Sequence, residues 1–505
     1  MRRFTRLSLE RLEPRLAMDA GIAAVLANGV LSIAGTSGDD QVTLDRRGDR
    51  IQVVQVGEWF RAKDIDRIDV DLGDGDDTVA FRNSGRLTKS IGEATAITAG
   101  DGNDILLGPQ GKNFYFGGAD DLVSLTKKGS VTIDGAAPDW FNKHVSDSSL
   151  RAVARAAAID QVLSREDMLD LFADVTPAAV VGESAFGSPQ AIVGNSKFFV
   201  GLDYVRTLSS YTVDGCVANA QYRSDPLGDL TATSTGADLQ LLVNKWFLGL
   251  DHPDPHNVGV HGTLTYKTAA GQLFDGLPAY VQMDQGEDGD CYYLSAMTSI
   301  TTKDPSKIVD MFIDNGDDTW TVRFFQKSTA YYVTIDRKLP VDSQDEFVFA
   351  DDEVRYDDAH AVLWPAYAEK AYAQFAEFGF LQTDGPKTNS YGAIQEGYAN
   401  LALHAILGEK VSSMMEIKSK SAKEMVKAFD KGRPVTLVTL ENPASPHIVS
   451  DHVYAMVGYD AATQTFELFN PWGIIDNNSN KPGYNYLTFE EITQNYGYWA
   501  HGPVL

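Results

Sequence analysis

The stretch DQGEDGDCYYLSAM, residues 284–297, carries Cys291, one of only two cysteines in 505 residues. A lone cysteine usually serves as a small packed apolar group. Its setting here suggests chemistry instead. Glycines and acids crowd the N-terminal side (Gly286, Asp288, Gly289, Asp290), and YYLSAMTSI on the C-terminal side reads as an apolar-faced helix. That places Cys291 at a helix N-terminus, where unpaired N–H groups and the positive dipole end favour the thiolate, the reactive form. Glu287, Asp288 and Asp290 oppose a second negative charge unless a cation lies close. Cys216, in TVDGCVANA, has no comparable setting and is read as structural.

A cysteine nucleophile needs a base, a group that orients the base, and donors for the oxyanion. RPVTLVTL, DHVYAMVGYD and FELFNPWG read as successive strands of an antiparallel sheet. His452 opens the middle strand and Asn470 ends the last, so neighbouring strands bring an amide beside an imidazole. His447, five residues earlier, is the competing base, and Gln285 stands six residues before the cysteine.

Taken in order, these segments resemble the protease core of the calpains, which are papain-like cysteine peptidases. QGEDGDCYYL is similar to the family's Q-G-x-x-G-D-C-W-x-L. WTVRFFQ and YYVTIDRKLPVD resemble its strands ending in V-D-D-x-L-P, LWPAYAEKAYAQF its W-x-x-x-x-E-K-A-Y-A helix, and DHVYAMVGYD and FNPWG its His and Asn motifs. The resemblance spans about residues 270–475. It implies Cys291 as nucleophile, His452 as general base and later acid, Asn470 as orienting group, and Gln285 with the Cys291 N–H as oxyanion hole. It also implies Trp472 as the shield of the His–Asn pair, and places Trp472 and Gly289 in the substrate cleft and its gating. Tyr292 replaces the family's tryptophan. For calcium in the core, the resemblance points to Glu369 and Asp476, while Gln282 stands where an Asp is expected.

The rest of the chain must carry and position this core. The balance of 43 Lys+Arg against 70 Asp+Glu, net −27, excludes a nucleic-acid partner, and no apolar run reaches membrane-spanning length. Residues 1–30, with five arginines in MRRFTRLSLERLEPRLAMDA, resemble the LExR-type leaders of exported bacterial surface proteins. Residues 31–135 repeat GTSGDDQV, LGDGDDTV, AGDGNDIL and FGGADDLV. Each sets an Asp (Asp40, Asp77, Asp104, Asp121) two residues before an aliphatic (Val42, Val79, Leu106, Val123). This resembles the RTX, or haemolysin-type, nonapeptide of parallel β-rolls, and implies calcium at Asp77, Asp104 and Asp121. The spacing departs from that pattern, because the Asp positions lie 37, 27 and 17 residues apart. Residues 136–240 read as amphipathic helices forming a linker or propeptide-like segment, with Ser164 as N-cap of REDMLDLF.

The expected architecture is multidomain: an all-β, β-solenoid or β-roll-like N-terminal module, a helical middle segment, and an α+β papain-like protease domain over 241–505. The expected function is a calpain-like, calcium-dependent-type endopeptidase acting on protein or peptide substrates. It is secreted or cell-surface associated, otherwise cytoplasmic, and uses no cofactor for its chemistry, with Ca²⁺ as the one ion admitted. The alternative is an exported binding or adhesion protein with a protease-like scaffold. Acyl transfer to an amine, as in transglutaminases, uses a similar fold, but Asn470 within NPWG favours hydrolysis.

Overall fold

The computed structural model describes residues 17–19, 21–36, 38–73, 77–83, isolated strands and positions between 94 and 154, and then 163–176, 183–231, 233–256, 262–351, 354–474 and 481–505. The chain divides into two compact units, 1–163 and 164–505.

In the first unit the strands are β1 Ala17–Asp19, β2 Ile22–Ala27, β3 Val30–Ala34, β4 Gln41–Arg47, β5 Arg50–Val53, β6 Glu58–Arg61, β7 Arg67–Asp71, β8 Thr78–Asn83, β9 Ala94–Thr98, β10 Ile105–Gly108, β11 Asn113–Phe116, β12 Leu122–Leu125 and β13 Val131–Thr132. They form two sheets, in the orders β1-β2-β3-β7-β9-β11-β13 and β12-β10-β8-β4-β5-β6. From β7 onward the described strands alternate strictly between the sheets, and β3-β7-β9-β11-β13 and β4-β8-β10-β12 pair in parallel. Such pairing requires crossover connections rather than tight hairpins. The antiparallel β4-β5-β6 excursion is inserted into the first of these turns.

The register explains the uneven Asp spacing. Gln41 pairs with Thr78, Thr78 with Ile105, and Ile105 with Leu122, so the residues that follow Asp40, Asp77, Asp104 and Asp121 stand side by side across the sheet. The aliphatics Val42 and Val79 point into a core with Leu31, Ile33, Ile68 and Val70. Asp40 and Asp77 are buried, and the Asp40 N–H donates to Asp77 Oδ1 at 2.8 Å. Asp40 Oδ2 in turn accepts from the Thr36 hydroxyl at 3.0 Å. Asp104 and Asp121 lie outside the described residues.

The second unit opens with helices α1 Arg165–Val175, α2 Glu183–Gly194, α3 Asp203–Val213 and α4 Gly236–Trp246. Ser164 caps α1 and Thr235 caps α4, each in a reciprocal capping box with the Asp three residues on. The sequence reading divides the chain at 240, whereas compactness divides it at 163. The reason is a set of long-range contacts that local periodicity does not encode. Arg165 reaches Asp317 at 2.8 Å and the Phe247 carbonyl at 2.5 Å. The Trp246 indole donates to Asn219, and buried Lys245 bridges Asp251 and Glu377 at 2.5 and 2.9 Å.

Between α3 and α4 lies the short pair β14 Gln221–Tyr222 and β15 Asp225–Pro226; beyond α4 come β16 Thr265–Thr268 and α5 Cys291–Lys303, followed by the single turn α6 Ser306–Val309. A three-stranded antiparallel sheet follows (β17 Phe312–Asp314, β18 Thr319–Gln326, β19 Thr329–Asp336), then β20 Lys338–Val341, α7 Trp364–Phe375 and α8 Ala399–Leu407. The last part is a six-stranded antiparallel sheet of β21 Met415–Glu416, β22 Val435–Thr439, β23 Val453–Asp460, β24 Thr465–Phe469, β25 Tyr484–Thr488 and β26 Tyr496–His501, ordered β21-β26-β22-β23-β24-β25. Helices α9 Ser421–Asp430 and α10 Phe489–Asn495 accompany it. Its core joins Met425, Val435, Tyr454, Leu468, Ile492 and Trp499. The second unit thus mixes α-helices with antiparallel sheets. Among the described residues no helix is long and apolar enough to cross a membrane.

Candidate active site

Cys291 is the first residue of α5, as its flanking glycines and acids suggest. The helix packs against β23, and one turn on, the buried Ser295 hydroxyl donates to the Val453 carbonyl at 2.8 Å. The loop before it is held close: a Cβ on Gly286 would lie 2.3 Å from the Val348 carbonyl oxygen, so no larger residue fits. Gly289 is less crowded, with only the Gln395 side chain in van der Waals range of such an atom.

His452 lies at the mouth of β23 and Asn470 just past the end of the neighbouring β24. His452 Nε2 and Asn470 Oδ1 are 2.8 Å apart, and both residues are buried. Asn470 Oδ1 also accepts from the Trp472 N–H at 3.2 Å, which fixes it as the carbonyl oxygen. His452 Nε2 therefore carries the proton and Nδ1 keeps the lone pair a base needs. The His452 backbone is locked by Thr439, whose hydroxyl accepts the His452 N–H at 2.8 Å while its own N–H donates to the His452 carbonyl at 2.9 Å. The Trp472 ring stands 5.2 Å from the imidazole and covers it. His447 is exposed on the preceding loop and takes no part in this arrangement.

Burial pushes the Cys291 thiol up to about 12; donation from the Val453 backbone opposes that, and the charges of Asp290 and Asp288 add to it. Burial also pulls His452 down to about 4, against the Asn470 bond and helped by the Lys481 charge. The helix N-terminus thus does not prevail over burial and acids at the sulfur. No hydrogen bond joins Cys291 to His452, and both are neutral at pH 7 in this arrangement. The structure brings His452, Asn470 and Trp472 together and sets Cys291 against the backbone of the residue after His452.

Gln285 is buried, and its backbone N–H donates to the Pro471 carbonyl at 2.8 Å, tying the loop before the cysteine to the Asn470 turn. One side-chain N–H is spent on the Asp288 carbonyl at 2.6 Å. Among the described contacts Gln285 makes no second side-chain bond.

Beneath this loop Asp288, Asp290, Asp351 and Glu369 are all buried. Burial raises Asp288 to about 7 and holds Asp290 and Glu369 well above the usual carboxylate range, with the Asp288 charge adding at Asp290 and those of Asp290, Asp288 and Asp351 adding at Glu369. Glu369 accepts the Ala350 N–H at 2.9 Å. Gln282, where the resemblance expects an Asp, accepts from the Trp364 indole at 2.8 Å and from the Ala279 N–H at 2.9 Å, so its carbonyl is already engaged. Asp476 lies outside the described residues. Among the described residues no three His, Cys, Asp or Glu side chains converge as a metal would require.

Two positioning residues carry no sequence signal. Lys481 Nζ donates to the Pro446 and Ile448 carbonyls at 2.8 and 2.7 Å, clamping the loop that leads to His452. Thr439 is the other; neither lies in a motif.

A sequence model of the family described as calpain family cysteine protease matches residues 269–482. Calpain-13 of Rattus norvegicus is 25% identical over 283 residues, 52% of this chain and 38% of its own length. A thiol protease of Porphyromonas gingivalis is 25% identical over 233 residues, 38% of this chain and 44% of its own. The chain thus spans less than half the length of these curated relatives. Xylellain, a cysteine protease from Xylella fastidiosa, aligns with 50% of this chain and 90% of its own at 15% identity, with a TM-score of 0.21, too low to bear on the argument. The ordered motifs and the family match agree in one respect: residues 269–482, within the second unit, match the calpain family of cysteine proteases.

Proposed function

We propose that the second unit is an endopeptidase that hydrolyses peptide bonds through a thioester acyl-enzyme. Cys291 attacks the scissile carbonyl and its proton passes to His452 Nδ1. Asn470 holds the imidazole in the tautomer that can accept it, and the Cys291 N–H and the remaining Gln285 N–H receive the oxyanion. The observation that carries this reading is the buried 2.8 Å His452–Asn470 bond beside the helix that begins at Cys291. Cys291→Ala should reduce cleavage of an unfolded protein such as casein to background while leaving the circular dichroism spectrum unchanged; Cys216→Ala should not affect cleavage. Retained cleavage by the Cys291 variant would end the assignment.

The first unit, in the same proposal, is a two-sheet β-roll; its support is the strand alternation and the register at Asp40 and Asp77. Calcium is assigned there as a stabiliser and given no part in the chemistry. A ligand bound only by the folded state raises its melting temperature. Calorimetry of the full chain should therefore show the first unit melting several degrees higher in millimolar Ca²⁺, and an unchanged transition would remove calcium from the account. Action outside the cytoplasm rests on the arginine-rich leader alone, and fractionation of the producing cells tests it.

A further inference from the structure

Behind the catalytic helix, away from His452, lies a cavity of about 180 Å³. An engineered cavity of about 150 Å³ accepts benzene. Six of its fourteen lining residues are aromatic, with Phe325, Tyr372, Phe375 and Phe380 among them. In a chain with 70 acidic residues, no carboxylate is among those fourteen, and Lys327 supplies the one permanent charge. Lys327 sits exposed at the turn between β18 and β19 and forms no ion pair among the described residues. Tyr292, 2% exposed, also lines the cavity, with its hydroxyl paired to that of Tyr372.

A short strap runs from this cavity to the loop before Cys291. Tyr398 lines the cavity and is half exposed. Gly397 abuts the Tyr292 ring so closely that a Cβ there would lie 2.4 Å from it. Glu396, held at φ 57°, donates its N–H to the Gly289 carbonyl at 3.1 Å, and the Gln395 side chain bonds Asp288.

We infer that this cavity is a binding site for a compact aromatic carboxylate. The ring lies between the aromatic walls with the carboxylate toward Lys327, and occupancy is transmitted along residues 395–398 to the loop before Cys291. The binding half stands apart from the peptidase reading.

Phenylacetate is the probe, titrated by calorimetry into the full chain, with toluene as the uncharged comparison. Phenylacetate should bind at least fivefold more tightly than toluene, and Lys327→Met should remove that difference. Ala405→Phe, which fills the cavity, should abolish binding of both; Leu401→Trp is the second filling variant should the first not fold. Saturating phenylacetate should change the rate of Cys291 alkylation by iodoacetamide, followed by peptide mapping, at least threefold in the parent and not in the filled variant. Absence of phenylacetate binding, or binding undiminished in a folded filled variant, overturns the site. Equal binding of toluene overturns the ligand class, and an unchanged alkylation rate at saturation overturns the coupling.

Discussion

At the scale of single residues, the proton inventory of the site decides what it does first. With Cys291 pushed up to about 12 and His452 pulled down to about 4, pH 7 finds a thiol and a neutral imidazole, not a standing ion pair. Below its pKa a thiol gains thiolate about tenfold per pH unit. Alkylation of Cys291 in the substrate-free protein should therefore rise steadily from pH 6 to pH 9; a plateau between pH 5 and 8 would reveal a thiolate–imidazolium pair instead. The imidazole lone pair stays available down to about pH 5, because charging His452 inside its buried site is unfavourable. His452→Ala should lower cleavage by about 10²–10⁴-fold, the usual worth of a general base. Asn470→Ala should cost less, since the amide fixes the tautomer without taking the proton. Steady-state rates of the two variants check this, and near parent activity in His452→Ala would discredit the base.

At the scale of elements, the places of the candidate catalytic residues were legible because each stands at the end of an element with a strong local pattern. Cys291 opens a helix after a glycine-acid run, and His452 and Asn470 bracket adjacent strands. The N-terminal strands were half legible. The Asp-x-aliphatic theme marked them, but the steps of 37, 27 and 17 residues read as a departure from a repeat until pairing showed them to be the register itself. What hid this is the inserted β5-β6 hairpin, whose alternating residues look like one more strand in line. The role of Gln282 was not legible, since its partners, Trp364 and Ala279, are chosen by tertiary contact. The same holds for Lys245, which a periodicity argument would leave on a solvated face. It is fully buried between Asp251 and Glu377. Removing one member of such a group leaves uncompensated charge, typically at a cost of about 3–5 kcal/mol. Lys245→Met should show that loss in urea unfolding of the second unit, and a change below 1 kcal/mol would mean that the carboxylates simply protonate.

At the scale of the whole molecule, the division at 163 matters for any fragment of the chain. A fragment of 164–505 should fold and keep the activity proposed above. A fragment beginning at 241 cuts α4 after its first turn and removes Arg165 and Asn219 from their partners Asp317 and Trp246. It should be recovered in aggregated or protease-sensitive form, as limited proteolysis would show; a stable, active 241–505 fragment would make the first three helices dispensable. One feature of the first unit bears on how such chains vary. Because successive turns hold their register while their lengths differ, the sheet specifies only where each turn begins, at an acid followed two places on by an aliphatic. The stretches between those anchor points can differ in length, although the one after Asp40 also supplies buried core residues such as Ile51, Ile68 and Val70. Sequence inserted at the exposed Arg47–Asp49 bend should alter what this unit displays without altering what it is, so its surface can diversify at a rate uncoupled from its frame.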